Sequence, residues 1–322
     1  MKNKNHTQKR ESDFFRIIGL FIESRTMADS TANNYRVLAG ALTRFAATKP
    51  GRRLTVRTFG ANDIGCFIRF YRNEPQPDRL ASKRRSHNTV CLMLKCLRTF
   101  FNWCHRQGHT PANPFTSFTG FPVERYASPY FLTTAERDLI AAHPLTGHPE
   151  LAVQRDIFIF QCLTGCRVSD LLTLSRDNIS DGHLEYIARK TAADNPTVIR
   201  MPLHPRALKI IRRYSCSESS PALFPFTAPQ RYNYAIRRIL TVCDITRKVS
   251  LLCPYTGVPM RRPINEVAAS HIARRTFIGN LYRKVKDPAL ISSLTGHVEG
   301  SRAFNRYRTI DDDIKRELIM ML

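Results

Sequence analysis

The chain has 322 residues, 43% of them hydrophobic, which is enough for two buried cores and excludes disorder as the default. Its 50 Lys and Arg stand against 26 Asp and Glu, a formal charge of +24, and both the first 122 residues and the remainder are net positive. An imbalance of that size is self-repelling in a folded protein and is best offset beside a polyanion, so nucleic acid is the expected partner. No apolar run reaches the roughly 18 residues of a membrane helix. The early stretch FFRIIGLFI is interrupted by Arg16 and leads to no small-residue cleavage site, so it reads as a core helix rather than a signal peptide. Nine cysteines with no C-x-x-C pair, several inside apolar helical patterns, read as reduced thiols of a cytoplasmic protein.

Amphipathic helices fill the first third. Ser30 is placed to cap a helix carrying Tyr35, Leu38, Leu42 and Phe45 at helical spacing. KPGRRLTVR reads as a basic loop, and Asn62 or Asp63 opens a short helix with Ile64, Phe67 and Tyr71. Ser86 precedes the longest helix, which buries Val90, Met93, Leu97, Phe100, Phe101 and Cys104 and ends near Gly108. The basic residues between these stripes, Arg52, Arg53, Arg57, Lys83, Arg84 and Arg85, are candidate phosphate contacts on DNA as a group, although each alone reads as a solvated surface charge. TPANPFTSFTGFPVERYASP has prolines and small residues without periodicity, which sets a linker at 123–130 between domains at 1–122 and 131–322. Thr133 and Glu136 then form a capping-box pattern. A helix follows from Pro149 and stops at Gly165. HLEYIARKT and TVIRMPL read as strands of a small hairpin, and three further helices follow around Tyr234, Ile278 and Leu290. The expected class is mainly α with a small antiparallel sheet.

Four separated stretches bear on chemistry. TGCRVSDLLTL places Arg167 between a helix-ending glycine and a new helix, with Asp170 behind it. ARKTAADN puts Lys190 at the hairpin tip. HIARRTF sets His271 and Arg274 three residues apart, on one helical face. LTGHVEGSRAFNRYRTI supplies His297 and Tyr307. In this order the set resembles the tyrosine recombinase (phage integrase-type) family, and GHVEGSRAFNRYR resembles integrases of mobile elements. The resemblance covers the second domain closely. The first domain matches in helical character and in position, as a core DNA-binding domain. One departure is local: Tyr307 falls one residue later after His297 than in the family's common pattern. CPYTGVPMRRPINE, ahead of His271, also reads as a longer insertion with room for a hairpin.

The resemblance implies a site-specific recombinase that joins Tyr307 to a 3′ phosphate. The chemistry explains the residue types. A phenol with a pKa near 10 attacks a phosphodiester poorly unless its proton is taken and the phosphate charge is neutralised. Arg167 and Arg274 are the expected guanidinium clamp on the non-bridging oxygens, Lys190 the donor to the departing 5′ oxygen, and His271 and His297 the flanking imidazoles. No metal or other cofactor is called for. The rivals are specific. Arg275 lies beside Arg274 but about 100° around the helix, and Arg189 adjoins Lys190. Tyr282 and Tyr255 compete with Tyr307 as nucleophile. Implied partners are double-stranded DNA, a homotetramer on paired recombination sites and accessory DNA-bending proteins, with no membrane. The tail IDDDIKRELIMML aligns Ile310, Ile314, Leu318 and Met321 on one helical face, docking in cis or on a neighbouring protomer. A non-catalytic DNA-binding relative and a type IB-like topoisomerase are the alternative functions.

Overall fold

The computed structural model describes residues 13–74, 84–189, 196–214, 222–226, 228–285, 287–296, 306 and 319–322. The chain divides into two units, Met1–Tyr126 with Leu252–Val258, and Ala127–Leu251 with Pro259–Leu322.

In the first unit, helix α1 (Asp13–Glu23) turns Phe14, Ile17, Ile18 and Phe21 inward, the i, i+3, i+4, i+7 stripe of a helix with one apolar face. This is the stretch that the sequence marks as core helix. Helix α2 (Asp29–Ala47) buries Tyr35, Leu38, Leu42 and Phe45 as expected. Its N-cap, however, is Ala28 and makes no side-chain cap. Ser30 lies inside the first turn, where the acidic Asp29 meets the positive end of the helix dipole. Helix α3 (Ala61–Asn73) starts after Gly60, whose N–H donates to the Asp63 carboxylate at 2.9 Å. Helix α4 (His87–Arg106) is capped by Ser86, which accepts the Thr89 N–H at 3.2 Å. Aromatic rings knit these helices together, with Phe21 on Phe100 at 5.9 Å and Phe59 stacked on Phe101 at 4.9 Å. Cys91, Cys96 and Cys104 sit in this core as free thiols. Burial pushes the Cys104 thiol up to about 12, so it stays protonated and unreactive. The segment 252–258 belongs to this unit: the His87 N–H donates to Pro254 O at 2.7 Å, and Arg125 Nη1 to Thr256 O at 3.1 Å.

The second unit is organised around helix α6 (Pro149–Thr164), which is buried along most of its length, Ile157 through Thr164 without interruption. An all-round apolar helix of this kind must be covered on every side. Helix α5 (Thr134–Ala142) covers one side and carries the Thr133–Glu136 capping box. After the short helix α7 (Val168–Leu171), strands β1 (Ile179–Ser180), β2 (His183–Ile187) and β3 (Val198–Pro202) form an antiparallel sheet in the order β1-β2-β3, with Glu185 opposite Arg200. Strands β2 and β3 alternate buried and exposed residues, so one face lies on the core. Helices α8 (Pro205–Tyr214) and α9 (Pro229–Val242) pack on α6, followed by the two-stranded pair β4 (Lys248–Leu252) and β5 (Pro259–Pro263). A hairpin is therefore present, but its first strand precedes the insertion, which supplies the turn at 253–258 and the second strand. Helices α10 (Ile264–Val267), α11 (His271–Val285) and α12 (Pro288–Thr295) complete the unit, α11 lying along α6. Of the tail stripe, Ile310, Ile314 and Leu318 lie outside the described residues, and Met321 is exposed. Among the described residues no helix is long and apolar enough to cross a membrane.

Candidate active site

Two helix ends with the same three-residue signature frame the site. Leu163-Thr164-Gly165 closes α6 and Leu294-Thr295-Gly296 closes α12, each on a left-handed glycine, φ +64° and +62°. Both threonines bond back into their own helix, Thr164 to Phe160 O at 3.0 Å and Thr295 to Ile291 O at 2.8 Å. The carbonyls at these ends would otherwise be orphaned. Arg274, on the second turn of α11 and only 1% exposed, takes one from each: Nη1 donates to Gly165 O and Nη2 to Thr295 O, both at 2.8 Å. A cation at two helix C-termini is favoured by both dipoles. This clamp candidate is thus pinned by three helices.

Gly165 also turns the chain so that Arg167 becomes the N-cap residue of α7 in extended conformation. Its side chain is 21% exposed, and Nη1 lies 3.9 Å from Asp170 Oδ2. Both of those atoms are sealed from solvent and make no hydrogen bond. Such an orphaned pair costs about 1–3 kcal/mol per group in an ordinary core, which marks it as a place where a ligand or water is expected. The other oxygen of Asp170 accepts the Arg189 N–H at 3.1 Å. One buried carboxylate therefore stands behind Arg167 and also holds the end of β2, one residue before Lys190.

His271 opens α11 with an exposed edge. Its imidazole is pushed down to about 4, by burial first and then by the charges of Arg275, Arg274, Arg167 and Arg306. Arg167, Arg274 and Arg306 are thus all in electrostatic range of this ring. Tyr186 on β2 feels Arg274 and Arg167 as well, but burial leads in raising its phenol, so it stays protonated. A depressed imidazole is neutral at pH 7 and able to accept a proton. The linkage sign follows. The unfolded chain takes up this proton near pH 6.5, before the native state does, so stability is full above about 6.5 and is lost as pH falls toward 4. In the DNA-free protein, NMR titration of His271 is expected to give a midpoint near 4. A midpoint at 6 or higher would mean that the ring is neither buried nor under the charge of these arginines.

Arg275 lies over the Tyr130 ring at 5.2 Å, and the Tyr130 hydroxyl donates to Val267 O at 2.9 Å. Tyr282 packs with Ile278 and Ile291, and Tyr255 belongs to the other unit. Lys190, His297 and Tyr307 lie outside the described residues. Among the candidate DNA contacts, Arg52 is engaged by Asp63 in a two-pronged ion pair at 2.8 and 2.9 Å. Arg85 is 10% exposed, paired with Glu74 at 3.0 Å and set 4.1 Å over the Tyr71 ring. These two brace the first unit. Arg53, Arg57 and Arg84 are exposed, and Lys83 lies outside the described residues.

The second unit thus gathers a buried arginine, a half-buried arginine and a neutral histidine in one electrostatic neighbourhood. No family model matches the chain. It is 25% identical over 214 residues to the tyrosine recombinase XerD of Lacticaseibacillus casei, spanning 65% of this chain and 68% of that one. It is 25% identical over 259 residues to the tyrosine recombinase XerC of Thermodesulfovibrio yellowstonii, spanning 76% and 81%. Its fold matches that of lambda integrase residues 75–356, in a dimer bound to a COC' core site, with a TM-score of 0.66, 17% identity and 93% and 94% coverage. A lambda integrase tetramer bound to a Holliday junction matches with a TM-score of 0.62, 17% identity and 93% and 78% coverage. The chain is thus similar in sequence to tyrosine recombinases and shares the fold of lambda integrase.

Proposed function

We propose that the protein is a site-specific recombinase that breaks and rejoins double-stranded DNA through a 3′-phosphotyrosyl link at Tyr307. The observation that carries this reading is the pairing of a fixed guanidinium, Arg274, with one whose buried N–H has no partner, Arg167. That buried N–H faces Asp170, while the 21% of the Arg167 side chain left exposed can meet the acceptors of a phosphate. The two arginines stabilise the charge gathered on the non-bridging oxygens as the Tyr307 oxygen bonds to phosphorus and the bond to the 5′ oxygen breaks. Neutral His271 receives the phenolic proton or hydrogen-bonds the phosphate, with His297 on the other side, and Lys190 protonates the leaving 5′ oxygen. Asp170 supports two of these parts together, the Arg167 side chain and the backbone leading into Lys190. Arg306, which acts on His271, directly precedes Tyr307 in the chain.

Residues 1–122 serve as the core DNA-binding domain, with Arg53, Arg57, Lys83 and Arg84 available for phosphates. The protein works in the cytoplasm as a tetramer on paired sites, with DNA-bending proteins as accessories. On a nicked suicide substrate carrying its site, wild-type protein is expected to form a covalent adduct and Tyr307→Phe none. Equal adduct from both would remove Tyr307 from this role. Relaxation of supercoiled plasmid without any specific site would point to a topoisomerase instead.

A further inference from the structure

Helices α5, α6 and α8 enclose a cavity of about 200 Å³ that shares no lining residue with the clamp. Its charged wall is Arg155, Asp156, Arg206, Lys209 and Arg213. The arginines are not loose surface charges. Asp156, 5% exposed, accepts Arg155 Nε at 3.0 Å on one oxygen, and Arg213 together with the Tyr214 hydroxyl on the other. Asp138, which is more exposed, accepts both Arg137 and Arg206 on its Oδ1. Burial would raise the Asp138 carboxyl, but the bonds from Arg137 and Arg206 outweigh it and hold the group below its usual range.

The result is two arginine–aspartate–arginine triads, each keeping one uncompensated positive charge. Lys209 adds another. It is exposed, stands one turn from Arg206 and about one turn from Arg213 on α8, and has no carboxylate partner among the described residues. Each carboxylate is already spent on its arginines, yet each guanidinium has five N–H donors and uses only some of them here. Holding several like charges around one small cavity is destabilising unless an anion completes it. Ligand pockets for whole organic molecules usually span about 300–1,000 Å³, so this one suits a compact anion. A duplex backbone is a convex rail and would leave most of these donors unused.

We propose that this cavity binds the phosphate groups of a compact polyphosphate anion, of the pyrophosphate or triphosphate class. The preset guanidinium forks supply paired hydrogen bonds and Lys209 supplies a mobile point charge. Calorimetric titration of the full chain with sodium pyrophosphate and with sodium triphosphate, at constant ionic strength, tests it. Saturable binding is expected, weakened about tenfold by Lys209→Ala and more by Lys209→Glu, and retained by Lys209→Arg. Adduct formation on suicide DNA should be unchanged in Lys209→Ala, a substitution at an exposed position that leaves both triads intact. Three results would overturn the proposal: no saturable binding; binding indifferent to Lys209 but abolished by Arg167→Ala, which would assign the anion to the clamp; or a matching loss of duplex affinity in Lys209→Ala, which would assign the cavity to the DNA backbone.

Discussion

Arg274→Ala is expected to slow single-turnover strand cleavage by about 10²–10³-fold, the usual cost of deleting one donor to a transition-state oxyanion. It should also lower unfolding stability by about 2–4 kcal/mol, because two buried carbonyls lose their donor together. The second effect sets this arginine apart from a residue that only touches substrate. Gly165 O and Thr295 O are both held at 2.8 Å by the two arms of the same planar guanidinium. Arg274→Lys keeps the charge but not the fork, so it should recover part of the stability and little of the rate. Urea unfolding and cleavage of a suicide duplex measure the two quantities separately. Wild-type stability in Arg274→Ala would mean that water can replace the guanidinium at both helix ends, and wild-type cleavage would remove it from the clamp.

Gly165→Ala should be nearly as severe. A Cβ there would lie 2.5 Å from Phe277 Cδ1 and 3.2 Å from Phe277 Cβ, and the residue sits at φ +64°. The left-handed conformation alone costs an L-residue about 1–2 kcal/mol. The ring cannot simply rotate away, since its own Cβ is also close, so α6 and α11 must separate. A total loss of about 3–4 kcal/mol is expected, with cleavage reduced because Gly165 O would no longer meet Arg274. Pairing the change with Phe277→Ala, which removes Cγ and Cδ1 and leaves only the Cβ contact at 3.2 Å, should recover most of the steric part and leave the conformational part, which a double-mutant cycle in urea would separate. Additive losses would show that the contact with Phe277 is not what excludes a side chain there.

Much of this arrangement is legible in the sequence because chemistry leaves marks in residue types. Arg167, His271 and Arg274 stand out by their spacing, and Gly165 is recognisable as a helix stop. The anchors of Arg274 are not, since backbone carbonyls carry no side-chain signature. The one available hint is the repeated Leu-Thr-Gly at 163–165 and 294–296, which marks two equivalent helix ends. The part played by Arg306 is hidden for a similar reason, as proximity to His271 depends on tertiary folding. Ser30 misleads because a good capping residue can sit inside a first turn when an acidic neighbour, Asp29, suits the helix start. Strand β1 goes unseen because two residues carry no period; Asn178 holds its approach, donating from Nδ2 to Glu185 O at 2.9 Å. Helix α8 starts without a Ser, Thr, Asp or Asn cap, His204 Nδ1 accepting the Arg206 N–H at 3.1 Å instead, and offers only three buried positions, Ala207, Ile210 and Ile211, among basic residues.

The cross-brace formed by Arg274 ties the proposed clamp to folding itself. Its guanidinium finds both acceptors only after α6, α11 and α12 have all docked. On the reading proposed above, a nascent or half-denatured chain lacks the means to stabilise a cut, and scission arrives with the last step of maturation rather than by degrees.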